Sequence, residues 1–205
     1  MSQKNAIIIL AVIILAFGGY RLFSPAHSIK NSKPRGETII CFGDSLTAGT
    51  GATAGRDYPA QLAALIGRPV VNAGVPGNTT ADALARLNND VLNRSPRIVI
   101  ITLGGNDLKN GLDRETAFRN LRVIVETIQQ QGALVVVGGL KFFPLDRGYA
   151  AAYDQLAAET GALLVPDILG GIMGETRLMS DQIHPNDEGY ARMAEKFHKA
   201  LQPYL

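Results

Sequence analysis

Residues 38–49 read Thr38-Ile39-Ile40-Cys41-Phe42-Gly43-Asp44-Ser45-Leu46-Thr47-Ala48-Gly49. The apolar run before Gly43 is rich in β-branched and aromatic residues, which is typical of a buried parallel strand. A serine at the end of such a strand becomes a nucleophile only if a base removes its proton and a third group orients that base. Ser45 is therefore the first candidate for a catalytic side chain.

The chain contains three histidines, so the candidate bases are few. His27 lies in a polar stretch, and His198 lies among lysines on a predicted terminal helix. His184 alone has an acid nearby in a predicted loop, because Asp181 precedes it by three residues. A neutral imidazole suits the role of general base at physiological pH. Ser45 and His184 together predict a serine hydrolase.

Strand patterns and helix patterns alternate along the rest of the chain. Strands are predicted over residues 38–42, 69–73, 97–103, 133–137 and 162–165. Helices are predicted over residues 58–66, 79–92, 115–131, 149–160 and 187–201. This alternation predicts an α/β fold with a five-stranded parallel sheet and helices on both faces. Ligands bind beyond the carboxyl ends of such strands, where Ser45, Gly77 and Asn106 follow the first three.

Four short blocks stand in order along the chain: Gly43-Asp44-Ser45-Leu46, Asn72-Ala73-Gly74-Val75-Pro76-Gly77-Asn78-Thr79, Gly104-Gly105-Asn106-Asp107 and Asp181-Gln182-Ile183-His184-Pro185. Together they resemble the four blocks of the SGNH (GDSL) hydrolase family, and most closely its small bacterial thioesterase I / lysophospholipase L1 / arylesterase branch. The resemblance covers residues 37–203. It implies a three-layer α/β/α sandwich, the flavodoxin-like SGNH hydrolase fold.

The resemblance also implies a role for each candidate residue. Ser45 would be the nucleophile, His184 the general base, and Asp181 the acid that orients it. The oxyanion hole would consist of the backbone N–H of Ser45, the backbone N–H of Gly77 and the side-chain amide of Asn106. Gly77 is preferred because it directly precedes the start of a helix, and Gly74 is the alternative.

An enzyme with these residues would cleave acyl esters or thioesters through an acyl-enzyme on Ser45, with small acyl esters or lysophospholipids as substrates. Carbohydrate O-acetyl ester hydrolysis is an alternative within the same chemistry. A membrane-tethered binding module without catalysis is an alternative from another class. A flavodoxin-like protein that binds FMN is a third, since the predicted layer order can hold that cofactor.

Composition excludes several other functions. The formal net charge is +2, so the chain carries no excess of charge suited to a polyanion, and nucleic-acid binding is not expected. No cluster of histidine and cysteine has the spacing of metal ligands, so we expect no metal and no cofactor. The sequence does not indicate an oligomeric state.

The N-terminus differs in kind from the rest. Lys4 and Arg21 enclose sixteen residues, mostly apolar, and a helix of that length measures about 24 Å against a hydrocarbon core of roughly 30 Å. We expect residues 1–23 to form a hydrophobic helix that anchors the chain in a membrane, with snorkelling cations at its ends. A cleaved signal ending near Ala16-Phe17-Gly18 and a buried core helix are the alternatives.

Residues 24–36 are then a polar tether and residues 37–205 the hydrolase domain. Lys4 and the α-amine precede the hydrophobic segment, and four cations follow it: Arg21, Lys30, Lys33 and Arg35. By the positive-inside rule this count favours a cytoplasmic domain. The signal-like layout and the frequent export of the resembled family favour the opposite side. The prediction is an inner-membrane anchor with the catalytic domain on the exported, periplasmic side, and cleavage followed by secretion is the alternative.

Overall fold

The computed structural model describes residues 28–141 and 146–205. Its centre is a parallel sheet of five strands in the order β2-β1-β3-β4-β5. The strands are β1 Thr38–Gly43, β2 Val70–Gly74, β3 Pro96–Thr102, β4 Leu134–Gly138 and β5 Leu163–Val165. This is the doubly wound order of flavodoxin-like proteins, in which successive strands are added first on one side of β1 and then, from β3 onward, on the other side.

Seven α-helices surround the sheet within the described residues. They are α1 Ser45–Ala48, α2 Tyr58–Ile66, α3 Thr80–Asp90, α4 Gly105–Lys109, α5 Arg114–Gln130, α6 Tyr149–Thr160 and α7 Asp187–Leu201. Helices α2 and α7 pack together on one face of the sheet, and α5 packs between α3 and α6 on the other. The predicted α/β/α sandwich with a five-stranded parallel sheet is confirmed.

The central strands are apolar along their whole length because helices cover both of their faces. Residues 98–101 of β3 and 134–137 of β4 are almost completely buried, the pattern expected for a parallel sheet without a solvent face. Helix α5 buries one stripe, formed by Leu121, Ile124, Val125 and Ile128. Its helical spacing turns that stripe toward the sheet.

The longer elements begin and end within about two residues of the predicted positions. Two helices were not predicted, α1 and α4, and both begin immediately beyond a strand. They have four and five residues, which is too short for a helical repeat of apolar positions to be visible in sequence. These two helices carry candidate residues Ser45 and Asn106.

The strand register brings the first three strands to a common edge. Gly43 at the end of β1 lies opposite Gly74 of β2 and Thr102 of β3. A Cβ at Gly43 would lie 2.5 Å from the carbonyl oxygen of Thr102, so only glycine allows the strands to approach this closely. The carboxyl edge of the sheet is called the rim below.

The predicted N-terminal helix over residues 1–23 lies outside the described residues. None of the helices found between residues 28 and 205, apart from the undescribed stretch 142–145, has the length and hydropathy of a membrane span. Part of the expected tether contacts the domain, since the N–H of Lys30 donates to Gly161 O at 2.9 Å and that of Arg35 to Gly132 O at 3.0 Å. The division at residue 36 stays a prediction.

Candidate active site

The turn after β1 is held by the side chain of Asp44. This residue is the N-cap of α1, and its Oδ1 accepts a hydrogen bond from Leu46 N at 3.0 Å. Ser45 is consequently the first residue of α1. The N–H at this position has no acceptor within its own helix, so it is available to a ligand at the rim.

Ser45, His184 and Asp181 form a continuous chain of hydrogen bonds. Ser45 Oγ lies 3.0 Å from His184 Nε2, and His184 Nδ1 lies 2.7 Å from Asp181 Oδ2. The other carboxylate oxygen of Asp181 accepts the N–H groups of Ile183 and His184 at 2.8 and 2.7 Å. These two bonds fix the loop, so that the carboxylate and the imidazole adopt one geometry relative to Ser45.

The two acids at the site have opposite electrostatic environments. Hydrogen bonds from the His184 ring and from the N–H groups of Ile183 and His184 lower the pKa of Asp181 to about 2. Asp181 is therefore a carboxylate at neutral pH. Burial raises the pKa of Asp44 to about 6, although the Leu46 N–H opposes that shift by favouring the charged form.

The amide of Asn106 projects from α4 toward the turn that follows β2. Asn106 Nδ2 donates to the carbonyl oxygen of Asn78 at 2.9 Å and lies 3.4 Å from Asp44 Oδ2. Gly77, which precedes Asn78, has a φ of +82°, a backbone conformation that favours glycine. The structure thus brings Gly77 and Asn106 to the same part of the rim.

Gly74 differs from Gly77 in both its packing and its N–H group. The N–H of Gly74 donates to Asn72 Oδ1 at 3.0 Å, so its hydrogen-bonding capacity is already used. A Cβ at Gly74 would collide with the backbone of Thr47 and Ala48 in α1. Glycine at position 74 is therefore explained by the close contact between β2 and the nucleophile helix.

Asp107 joins the third sequence block to the second. Its side chain is buried and accepts hydrogen bonds from Thr80 N at 3.0 Å and Thr80 Oγ1 at 2.7 Å. This contact leaves no signal in the sequence, because it joins Asp107 to a residue 27 positions away at the start of α3. This contact fixes α4, and with it Asn106, relative to the turn that contains Gly77.

Arg86 on α3 joins the same turn to the ends of two strands. Its Nη2 donates to Gly43 O at 2.7 Å, its Nη1 to Ala73 O at 3.0 Å, and its Nε to Asn78 Oδ1 at 2.6 Å. Asp90 accepts a further bond from Nη1 at 2.7 Å. The sequence offered no signal for this role, since the pattern of α3 reveals only its apolar stripe.

A cavity of about 320 Å³ opens beside Ser45 and His184. Six apolar side chains line it, namely Leu46, Leu108, Leu140, Leu169, Met173 and Ile183. Lys109 and Arg147 also line the cavity, and both residues are exposed. The cavity accordingly combines an apolar surface with two exposed cations and the Asp44 carboxyl group, adjacent to a hydroxyl group that is hydrogen-bonded to an imidazole.

All five residues predicted for the site, Ser45, Gly77, Asn106, Asp181 and His184, lie at or beside the rim. Within residues 28–141 and 146–205 no group of three or more acidic, histidine or cysteine residues is arranged to hold a metal ion. The arrangement is suited to attack by an activated hydroxyl on a carbonyl carbon, with hydrogen-bond donors close to the attacking oxygen.

Residues 41–192 match the profile of the GDSL-like Lipase/Acylhydrolase family. This match covers most of the chain and includes every predicted site residue. The chain belongs to this family. As a member it is a serine hydrolase that acts on acyl esters or thioesters, which confirms the class of enzyme predicted from the four sequence blocks.

Individual relatives agree with this assignment. The chain is 30% identical over 180 residues to the esterase TesA of Pseudomonas aeruginosa, a match that covers 82% of this chain and 90% of TesA. It is 31% identical over 178 residues to the thioesterase 1/protease 1/lysophospholipase L1 of Escherichia coli K12, with 82% and 85% covered. A crystal structure of TesA matches with a TM-score of 0.77 at 31% identity and covers 82% of this chain and 100% of that one.

Proposed function

We propose that Ser45 is the nucleophile of this hydrolase and that His184 and Asp181 activate it. The Ser45 oxygen attacks the carbonyl carbon of the substrate while His184 Nε2 takes the hydroxyl proton. His184 then returns this proton to the departing alcohol or thiol, and the acyl group stays on Ser45. A water molecule, deprotonated by His184, then attacks the acyl carbon, and His184 returns that proton to Ser45 Oγ as the bond from Ser45 to the acyl group breaks and the acid leaves. The observation that carries the proposal is the Ser45–His184–Asp181 hydrogen-bond chain of 3.0 and 2.7 Å.

The oxyanion of each tetrahedral intermediate would be stabilised by the N–H groups of Ser45 and Gly77 and by the Asn106 amide. The free N–H at the start of α1 supports the first, and the exposed turn at Gly77 supports the second. Asn106 Nδ2 carries two hydrogens, which it donates to Asn78 O at 2.9 Å and to Asp44 Oδ2 at 3.4 Å. The second bond is long, so an oxyanion would replace Asp44 as its acceptor. Loss of one such donor typically costs about 3–4 kcal/mol of barrier height.

The substrate we infer is a small ester or thioester with an acyl chain of modest length. The six apolar side chains beside Ser45 support an acyl pocket, because an alkyl chain gains free energy when its surface leaves water. A lysophospholipid fits the same description. An acetylated carbohydrate is less favoured, since an acetyl group would leave most of this apolar surface uncovered.

We further propose that residues 1–23 anchor the enzyme in the inner membrane with the domain on the periplasmic side. The support is the apolar run from Ala6 to Tyr20 between Lys4 and Arg21, which is long enough to span a bilayer with local thinning. Fractionation of the full chain would test this proposal. Recovery of a shortened chain in the medium would contradict it.

The proposed chemistry is tested by hydrolysis of p-nitrophenyl esters, from acetyl to palmitoyl, by the full chain in detergent. Ser45→Ala should lose turnover with every ester and lose labelling by a fluorophosphonate, while Ser32→Ala at an exposed position of the N-terminal segment should behave as the parent. Retained activity in Ser45→Ala, with thermal unfolding unchanged, would rule out Ser45 as the nucleophile. The preferred chain length then reports on the acyl pocket.

A further inference from the structure

The described chain begins at the face of the domain that lies opposite the active site. The N–H of Lys30 donates to Gly161 O, just before β5, and the N–H of Arg35 donates to Gly132 O, just before β4. The side-chain amide of Asn31 donates to the carbonyl oxygens of Gln129 and Ala133 at 2.8 and 2.9 Å. Residues 28–36 are thus fastened to the amino ends of the strands, called the base below.

The base carries a concentration of positive charge. Five of its exposed side chains are cationic: Lys30, Lys33, Arg35, Arg68 and Arg94. Arg68 precedes β2, and Arg94 precedes β3. The carbonyl oxygen of Arg94 accepts a hydrogen bond from Thr38 Oγ1. Of the acids on elements that end at the base, Glu37 and Glu126 are exposed, whereas Asp90 and Glu159 are ion-paired with Arg86 and Arg122. Clusters of lysine and arginine next to a hydrophobic segment bind anionic lipid headgroups.

We propose that the base docks on the anionic surface of the bilayer that holds residues 1–23, so that the active site opens away from that bilayer. This inference rests on the membrane anchor proposed above. The base is then an interaction surface for a bilayer that contains anionic lipid. Substrates enter the active site from the aqueous side.

The length of the connecting chain supports this orientation. Residues 24–27 separate the predicted anchor from the first described residue, and four extended residues span at most about 14 Å. The distance from the base to the rim is longer than this, because the seven residues of β3 alone measure about 23 Å along the strand. If the rim lay on the bilayer, Ser28 would have to stand farther from the membrane than these four residues can reach.

This orientation determines which substrates can reach the active site. A lysophospholipid in the supporting leaflet would have to leave that leaflet to reach Ser45, which lies at the rim. A soluble or dispersed ester, or one presented by a facing structure, enters the pocket directly. Anchoring therefore holds this enzyme in a compartment rather than bringing its pocket into contact with the lipid beneath it.

Fluorescence quenching in vesicles tests the proposal. The full chain is reconstituted in phosphatidylcholine vesicles containing phosphatidylglycerol and a lipid with a nitroxide on its headgroup. A fluorophore is attached through Lys33→Cys at the base or Asn110→Cys at the rim, both of which are exposed positions. Cys41 is fully buried and should not react. We expect several-fold stronger quenching at position 33 than at position 110. Equal or stronger quenching at position 110, or release of the chain from the vesicles, would overturn the proposal.

Two further variants separate the contributions of charge and tether. Arg68→Gln with Arg94→Gln should weaken quenching at position 33, whereas the matched pair Arg56→Gln with Arg119→Gln, which lies elsewhere, should not. A flexible insertion of about 30 glycine and serine residues before Ser28 reaches roughly 30 Å and should reduce the difference between the two positions. If neither change altered the quenching, the docking of the base would be overturned. Hydrolysis of a soluble p-nitrophenyl ester should be unchanged throughout, so failure of the proposed catalytic function would be seen separately.

Discussion

Asp181 and Asp44 are acids of the same site whose surroundings give them different protonation behaviour. Asp181 is half-exposed and accepts three hydrogen bonds from its own loop, so its charged form is favoured. Asp44 is buried, and the loss of water around it favours the neutral form. Hydrogen bonds therefore determine the behaviour of Asp181, whereas burial determines that of Asp44.

Asp181→Asn should reduce kcat by roughly 10²–10⁴-fold, because an amide cannot stabilise the imidazolium that forms when His184 takes a proton. The pKa of Asp181, about 2, lies below the ordinary value, so its ionised form stabilises the fold fully above about pH 4. That contribution is lost only as the pH falls through about 2. Because Asp181 stays ionised from pH 5 to pH 8, protonation of Asp181 itself should not diminish the loss of kcat anywhere in this range. A loss confined to acidic pH would contradict this assignment.

Asp44→Asn should stabilise the fold at pH 7. Asparagine keeps an acceptor for Leu46 N, and it removes a buried charge. Because the folded pKa of about 6 exceeds the ordinary 3.8, the folded state binds the proton more tightly, and the stability of the parent falls as the pH rises from about 4 to 6. The difference at pH 7 should not exceed about 3 kcal/mol. Denaturant unfolding at pH 4 and pH 7 measures it, and equal differences at both pH values would contradict the prediction.

At the scale of elements, the site depends on how α3 and α4 are joined to the strand ends. Asp107 at the start of α4 binds Thr80 at the start of α3. Arg86 further along α3 binds the carbonyl oxygens that end β1 and β2. The turn containing Gly77 lies between these two connections. Its position therefore depends on residues that do not line the cavity beside Ser45.

Arg86→Met should lower kcat by roughly 10–100-fold with a smaller change in KM. Loss of the guanidinium releases the turn that precedes Asn78, and a displaced hydrogen-bond donor acts mainly on the transition state. Arg86→Lys retains the charge but lacks the planar fork, so it should recover only part of the activity. Steady-state measurement of kcat and KM for each variant distinguishes displacement of the turn from a defect in substrate binding.

The matched control is Arg122→Met on α5, since Arg122 pairs with Glu159 away from the rim. Its kinetics should match those of the parent. If Arg86→Met changed KM and left kcat intact, Arg86 would contribute to substrate binding rather than to the geometry of the turn.

For the molecule as a whole, the segment over residues 28–36 closes the base of the sandwich. Arg97 Nη1 donates to Pro34 O at 3.0 Å, and Asn31 adopts a φ of +56° while its amide binds two carbonyl oxygens. The segment thereby connects α5, β3 and the turn after α6. It contributes to stability at the face opposite the active site.

Asn31→Gly should lower the free energy of unfolding by about 1–3 kcal/mol, because two part-buried carbonyl oxygens lose their donor. Glycine accepts the positive φ, so backbone strain does not contribute. The expected decrease in Tm is roughly 2–4 °C per kcal/mol. Lys33→Gly makes the same backbone change at a position exposed to solvent and should have a smaller effect. Equal losses in the two variants would show that chain flexibility, rather than the Asn31 amide, is responsible.

The amino-acid sequence was enough to predict the class of fold, because alternating strand and helix patterns allow few arrangements other than a parallel sheet covered on both faces. It also determined Ser45, His184 and Asp181 as the candidate triad, since the chain has three histidines and only one of them has an acid nearby in a loop. Four ordered blocks identified the family. Each of these inferences uses residues that are close in the chain or a motif that is continuous.

Contacts between residues that are distant in sequence could not be predicted and are seen only in the folded protein. The hydrogen bonds of Arg86 with Gly43 and of Asp107 with Thr80 leave no local signal. The choice of Gly77 over Gly74 is likewise supported by a hydrogen bond that occupies the N–H of Gly74. The position of residues 28–36 on the base likewise leaves no signal in the sequence. Packing sets these relations, because a side chain's partners are determined by which elements the fold brings together.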